Sequence, residues 1–270
     1  WPWRGRGYRG CGRAVMKLNK DISAIVTGGA SGLGAAVVRH LSSFGTRVTI
    51  FDMDEGRAKP LMAETGSLFF KVDVSDAQAV AQGFEKAREA NGQERLVVNC
   101  AGIAPAMKTV SRGQAHDAGL YAKVIGVNLI GSFNVASQAA AGMGEAEPIG
   151  EDKERGVIIN TASVAGYDGQ IGQVAYASSK GGVIGMTLPM ARDLADKGIR
   201  VMAIAPGIFG TPMVKSFPQE VQDALAAQIP FPSRLGKPDE FAALVAHIAE
   251  NPMLNGDVIR LDGAIRMPPR

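Results

Sequence analysis

Cysteine is almost missing from this 270-residue chain: Cys11 and Cys100 stand alone, too few for a disulfide framework or a cysteine-ligated zinc. The three histidines, His40, His116 and His247, show no metal-binding spacing, so no metal site is expected. No uninterrupted apolar run approaches the ~18 residues of a membrane helix. Acidic residues are absent from positions 1–15, which carry Arg4, Arg6, Arg9 and Arg13 and both tryptophans, Trp1 and Trp3. Setting those four arginines aside turns the formal net charge of +3 into −1 for residues 16–270. That remainder has no basic field to attract nucleic acid. The leader WPWRGRGYRGCGRAV has no apolar core for a signal peptide, and Pro2 with four glycines spoils the amphipathic helix of a mitochondrial presequence. It is read as a disordered extension ahead of Met16, with residues 16–270 as one domain. The expected setting is soluble and cytoplasmic, or mitochondrial in a eukaryote.

Glycine is abundant instead, at 34 of 270 residues against a usual ~7%. Because 46% of the chain is hydrophobic, the glycines point to tight turns in a folded protein rather than to disorder. Short β-branched apolar runs at 22–27, 47–51, 68–72, 95–99, 156–161, 200–205 and 258–261 read as strands. Helical stretches at 32–44, 55–64, 77–90, 121–143, 174–197 and 240–250 alternate with them. The strand runs are continuously apolar, as strands buried on both faces are. The expectation is therefore an α/β fold: a single-domain, Rossmann-type, doubly wound parallel sheet of about seven strands with helices on both faces. The polar connection GMGEAEPIGEDKER at 142–155 is longer than the usual 2–6 residues.

Residues 27–34 read TGGASGLG between the first strand and the first helix. Gly28 would permit a tight turn, Gly32 the close approach of backbone N–H groups to a pyrophosphate, and Gly34 close helix packing. An ordinary glycine-rich turn is the alternative, and the strand–turn–helix context speaks against it. Asp52 ends the second strand 24 residues after Gly28, where an acid would bind the adenosine ribose diol. A 2′-phosphate beside it would cost on the order of a few kcal/mol at an effective ε of ~20. Ser31 supplies no cation to offset that, so NAD is expected over NADP. A solvated strand-end acid beside Asp54 is the competing reading.

Tyr176 and Lys180, in YASSK, lie four apart on an expected helix and so share a face. Ser163 follows the fifth strand, at the sheet edge where ligands of open α/β folds bind. Together with the glycine loop, Asp73-Val74, NCAG at 99–102, VNL around Asn128 and Pro206-Gly207, these residues give a chain that resembles the short-chain dehydrogenase/reductase family over about residues 20–265. Cys100 departs from the family's NNAG.

The resemblance implies roles. Ser163, Tyr176, Lys180 and Asn128 would form the catalytic set. Tyr176 would be the acid/base, with its phenolate favoured by the Lys180 ammonium. Ser163 would polarise the substrate carbonyl, and Asn128 would anchor a water that links Lys180 to solvent. Gly28, Ser31, Gly32, Leu33, Gly34, Asp52, Asp73, Val74, Asn99, Ala101, Gly102, Tyr176, Lys180, Pro206, Gly207, Ile208 and Thr211 would hold the NAD. Ser163, Gln173, Tyr176 and Phe209 would face the substrate, with plain core packing the even alternative for Phe209.

Longer matches, including 156–201, FPSRLG and NPMLNGDVIRLDGAIRM, resemble a branch of the family that oxidises short-chain or 2-methyl-branched L-3-hydroxyacyl-CoA esters, with hydroxysteroids as secondary substrates. That branch implies a small-molecule acyl-CoA or steroid substrate, fatty acid metabolism and a homotetramer built through 240–261, with no membrane or nucleic-acid partner. Two rival functions stand beside it: an NADPH-dependent 3-oxoacyl thioester reductase, and a scaffold subunit of an RNA-processing complex.

Overall fold

The computed structural model describes residues 15–269; residues 1–14, nearly all of the expected extension, lie outside the described residues. Seven strands form one sheet: β1 (Ser23–Thr27), β2 (Arg47–Asp52), β3 (Leu68–Lys71), β4 (Leu96–Asn99), β7 (Gly156–Thr161), β8 (Ile199–Pro206) and β9 (Val258–Leu261). Two further short strands, β5 (Val110–Ser111) and β6 (Gln114–Ala115), make a separate antiparallel hairpin. The sheet order is β3-β2-β1-β4-β7-β8-β9 and every pairing in it is parallel. Parallel neighbours require crossovers, which the helices supply. They are α1 (Gly32–Ser43), α2 (Glu55–Thr65), α3 (Ala77–Asn91), α4 (Ala118–Ile125), α5 (Gly131–Glu145), α6 (Val174–Asp193), α7 (Pro212–Lys215), α8 (Gln219–Ala227) and α9 (Pro238–Glu250).

The apolar runs work as expected for strands covered on both sides. Ala24, Val26, Val98, Ile159 and Ile204 point to one face, where Val38 and Leu41 of α1 and Phe241, Val245 and Ile248 of α9 meet them. Ile25, Val97, Ile158 and Val201 point to the other, against Val80 and Phe84 of α3 and Val135, Ala139 and Met143 of α5. This alternation follows from the two-residue period of a strand. Aspartates start several crossovers: Asp54, Asp76 and Asp117 accept hydrogen bonds from backbone N–H groups in the first turns of α2, α3 and α4.

Several boundaries differ from expectation. The helix expected at 121–143 begins at Ala118 and passes through a π-helical turn, Gly126–Ile130, between α4 and α5. By length and mean hydropathy the whole stretch Ala118–Glu145 could cross a membrane. Its sheet-facing residues Val124, Asn128, Val135, Ala139 and Met143 are nonetheless fully buried, as in a core helix. The helix expected to reach residue 197 stops at Asp193, and a 3-10 turn follows, ending at Gly198 with φ +67°. The hairpin, α7 and α8 were not foreseen; all are short and carry little buried apolar surface.

The long polar connection at 142–155 is clamped at its end. Arg200 Nε donates to Glu154 Oε1 at 2.8 Å, and both side chains are buried. The remaining Arg200 nitrogens donate to the carbonyls of Ile248, Ala249 and Leu254. One guanidinium thus caps the open end of α9 and fixes the loop entering β7. Because the sheet order reverses between β1 and β4, the turns leaving these two strands diverge to opposite faces. The crevice between them, at the carboxyl ends of the strands, is where such sheets bind ligands.

Candidate active site

The turn after β1 is shaped by backbone alone. Gly28 has φ +62°, and a Cβ there would lie 2.7 Å from Ala101 N, so the loops leaving β1 and β4 touch at this point. A Cβ on Gly34 would collide with the Gly28 carbonyl. The close packing expected of Gly34 is therefore against the turn itself rather than the sheet. Ser31 precedes α1 in extended conformation and makes no capping bond, which leaves the first N–H groups of α1 directed at the crevice. Leu33 is part-buried against the core. Thr211 sits across from this turn: a Cβ on Gly32 would lie 3.7 Å from Thr211 Cγ2.

Asp52, at the end of β2, accepts from Ala30 N at 3.0 Å and from Asp54 N at 3.1 Å. It thereby ties the glycine turn to the second strand and keeps a carboxylate at the crevice rim. Asp73 accepts from Ser75 N and Oγ, while Val74 is buried with its carbonyl bonded by Asn134 Nδ2 at 3.0 Å. Ala101 N donates to Thr27 Oγ1 at 3.2 Å. At the other end of the crevice, Gly207 donates its N–H to Leu261 O, and the 206–208 turn lies against Asp262 and Ile265. A cradle without side chains, an exposed helix N-terminus and a rim carboxylate fit a dinucleotide. When bound, its nicotinamide supplies or accepts the hydride.

Ser163 begins a 3-10 turn, Val164–Gly166, and its Oγ accepts from Ala165 N at 3.1 Å. Tyr176 and Lys180 stand in the first two turns of α6 on the face toward β7. Lys180 is buried, and its Nζ donates to Thr161 O at 2.6 Å while lying 5.8 Å from the Tyr176 ring centre. Burial pushes the Tyr176 phenol above its ordinary value, with the Ser163 hydrogen bond opposing it. Burial also pulls Lys180 down to about 8 and lifts the neighbouring Cys100 thiol to about 11. At Tyr176 desolvation outweighs the Ser163 hydrogen bond, while the Lys180 ammonium is directed at the β7 carbonyl.

Several of the expected site residues also brace the fold. Phe209 is 6% exposed and meets Phe241 edge-on at 6.5 Å between ring centres, the core packing that was its alternative reading. Asn99 is buried: its Nδ2 donates to Ser132 O and Asn160 Oδ1, and its Oδ1 accepts from Thr27 Oγ1. That side chain straps β1, β4, β7 and α5 together. Asn128 also acts by bracing. Both its amide hydrogens are engaged, to Ile103 O at 2.9 Å and Ser179 Oγ at 3.0 Å, and its Oδ1 accepts from Ile103 N. Ser179, which the sequence reading missed, in turn donates to Tyr176 O at 2.7 Å and couples the π turn to the catalytic helix. Gln173 immediately precedes α6, its Oε1 accepting from Gln170 N. Among the described residues no group of three or more His, Cys, Asp or Glu comes together that could hold a metal.

A dinucleotide cradle beside a serine–tyrosine–lysine cluster defines a class of oxidoreductase, and residues 23–222 match the family model of short chain dehydrogenases. The chain belongs to that family and is an enzyme of it. It is similar to 3-hydroxyacyl-CoA dehydrogenase type-2 of Bos taurus, at 51% identity over 95% of this chain and 99% of that one. The protein of the same name from Homo sapiens is 50% identical over the same shares. The crystal structure of 3-hydroxyacyl-CoA dehydrogenase type-2 from Mycobacterium avium superimposes with a TM-score of 0.89, at 44% identity over 94% of this chain and 100% of that one.

The Lys180 environment sets a pH-dependent cost. Its folded value, about 8, lies below its ordinary 10.5, so the buried ammonium destabilises the fold at low pH. The cost is fully present below pH 8 and disappears as pH rises from 8 to 10.5. Lys180→Met should abolish turnover yet raise stability at pH 7 by on the order of 2–3 kcal/mol. Urea unfolding across pH should show this gap closing toward pH 10.5; a variant less stable than the parent at pH 7 would contradict it.

Proposed function

We propose that this chain is an NAD-dependent dehydrogenase that interconverts short-chain or 2-methyl-branched L-3-hydroxyacyl-CoA and 3-oxoacyl-CoA esters, with hydroxysteroids as secondary substrates. The observation that carries the chemistry is the placement of Tyr176 and the buried Lys180 on one face of α6, Nζ 5.8 Å from the tyrosine ring, with Ser163 just past β7, at the edge of a dinucleotide cradle. The substrate class is supported by near-full-length identity of about half to relatives named for that reaction.

In this reading Ser163 donates a hydrogen bond to the substrate oxygen, and Tyr176 exchanges a proton with the same atom. Lys180 would hold the nicotinamide ribose, and Gly28, Ser31, Gly32, Asp52, Gly207, Ile208 and Thr211 the rest of the dinucleotide. With its value raised by burial, Tyr176 is protonated at neutral pH, the form that serves carbonyl reduction. Alcohol oxidation needs the phenolate, so its kcat/KM should climb with pH through the alkaline range. Tyr176→Phe should lower turnover by roughly 10²–10⁴-fold while NADH binding, followed by fluorescence, stays within a few fold. Substantial activity in that variant would remove the proton-transfer role.

NAD over NADP is favoured by Asp52, whose carboxylate stands beside the glycine turn with Ser31 rather than a cation opposite. This feature also weighs against an NADPH-dependent thioester reductase. Asp52→Ala should relax the preference; an unchanged NAD/NADP ratio in 3-oxoacyl-CoA reduction would refute the assignment.

The assembly we propose is a homotetramer. Two apolar surfaces support it: Ile130, Phe133 and Leu188 on α5, α6 and the preceding π turn, and Phe231 and Met253 flanking α9 near the edge strand β9, all exposed. Light scattering should give four times the 28.2 kDa chain mass; a monomer would exclude it.

A further inference from the structure

Ser163 and Tyr176 are joined by a segment with little means of holding its own shape. It contains Gly166, Gly169 and Gly172, the last with φ +89°, and after the 3-10 turn it has no regular structure before α6. Its anchors come largely from the far end of the chain. Arg260, in β9, donates from Nη2 to Asp168 Oδ2 at 2.7 Å, and its guanidinium carbon lies 5.1 Å from the centre of the Tyr167 ring. Past β9 the chain turns through Gly263 and Ala264, both with positive φ, buries Ile265, and runs back along the segment. Gln170 Nε2 then donates to Pro268 O, and Ile171 N to Pro269 O, both at 3.0 Å. Prolines suit this place: they lack an N–H, keep a fixed φ, and present carbonyls only.

The same tail touches the cofactor side. Asp262 and Ile265 lie where a Cβ on Gly207 would be. Asp262 Oδ2 also accepts from Arg260 Nε at 2.8 Å, and Arg260 Nη2 donates to Ile265 O at 3.1 Å. One strand end therefore touches both walls of the active site: the turn at 206–208 and the segment at 167–173.

We propose that the C-terminal tail is a positioning element of the active site. Through Arg260 and the carbonyls of Pro268 and Pro269, it sets the path of the chain between Ser163 and Tyr176, and with it Gln173 at the head of α6. The tail touches no reacting atom. Its effect passes through the placement of the serine and tyrosine hydroxyls, where displacements on the order of an ångström can cost as much as ~10²-fold in rate.

The test uses the full chain and three variants: Arg260→Gln, Asp168→Asn and termination after Met267. Reduction of acetoacetyl-CoA by NADH should show kcat/KM lowered about tenfold or more, with Arg260→Lys intermediate and NADH affinity unchanged in the truncated chain, which keeps Asp262 and Ile265 against the 206–208 turn. Hydrogen exchange at the Ile171 and Gln173 amides should quicken in the truncated chain. Kinetic constants within about twofold of the parent, whether or not the melting temperature falls, would overturn the proposal. So would a parallel loss of NADH affinity in the truncated chain, which marks general loosening. The choice of thioester rests on the substrate reading above. If the parent chain leaves acetoacetyl-CoA unreduced, that reading fails by itself, and the same comparison is made on whichever alcohol or ketone the parent turns over.

Discussion

A single buried ammonium organises this molecule's reactive end. Lys180 reaches out of α6 to the carbonyl that ends β7, 2.6 Å away. An unpaired charge in such a place would carry a heavy desolvation cost. The carbonyl gives the ammonium a hydrogen-bond partner, and burial still holds Lys180 below its ordinary value, at about 8. The contact fixes the rotation of α6 against the sheet. Once α6 is fixed, Tyr176 must face Ser163, because residues four apart share one side of a helix.

Around this contact lies a layer of side chains that hold others in place. Asn128 grips Ile103 and Ser179, Ser179 grips the Tyr176 carbonyl, and Asn99 straps three strands to α5. The π turn that carries Asn128 interrupts an otherwise continuous helix, a common device at functional positions. Such buried polar networks are favourable to the extent that their members are satisfied: each donor of Asn128 has an acceptor, while the Nδ2 of Asn160, the partner of Asn99, has none. The reacting groups themselves are few, and their orientation comes from residues that never meet the substrate.

How much of this was legible beforehand varied with the range of the forces involved. The seven sheet strands read correctly because continuous apolar runs of four to eight residues, spaced by helical stretches, have few other solutions. The glycine turn and Asp52 were legible from spacing alone, since a short turn between strand and helix is a local object. Phe209 was not: an aromatic residue beside a cofactor loop reads equally as a substrate wall or as core. Its contact with Phe241, 32 positions away, makes it core. The bracing by Asn99 was not legible for a similar reason, because its partners lie on β7, α5 and β1.

Sequence by itself determined which groups are present and which elements carry them: the order of strands and helices, the glycine-lined turn, the acid at the end of β2, and a tyrosine and lysine one turn apart. Those features depend on periodicity and neighbouring residues, whose geometry the backbone dictates. Only the tertiary structure decided where Lys180 directs its charge, which asparagines brace their neighbours, and that Pro268 and Pro269 lie against the segment between Ser163 and Tyr176. Each of these depends on contacts between residues distant in sequence, which form only when the sheet brings their strands side by side.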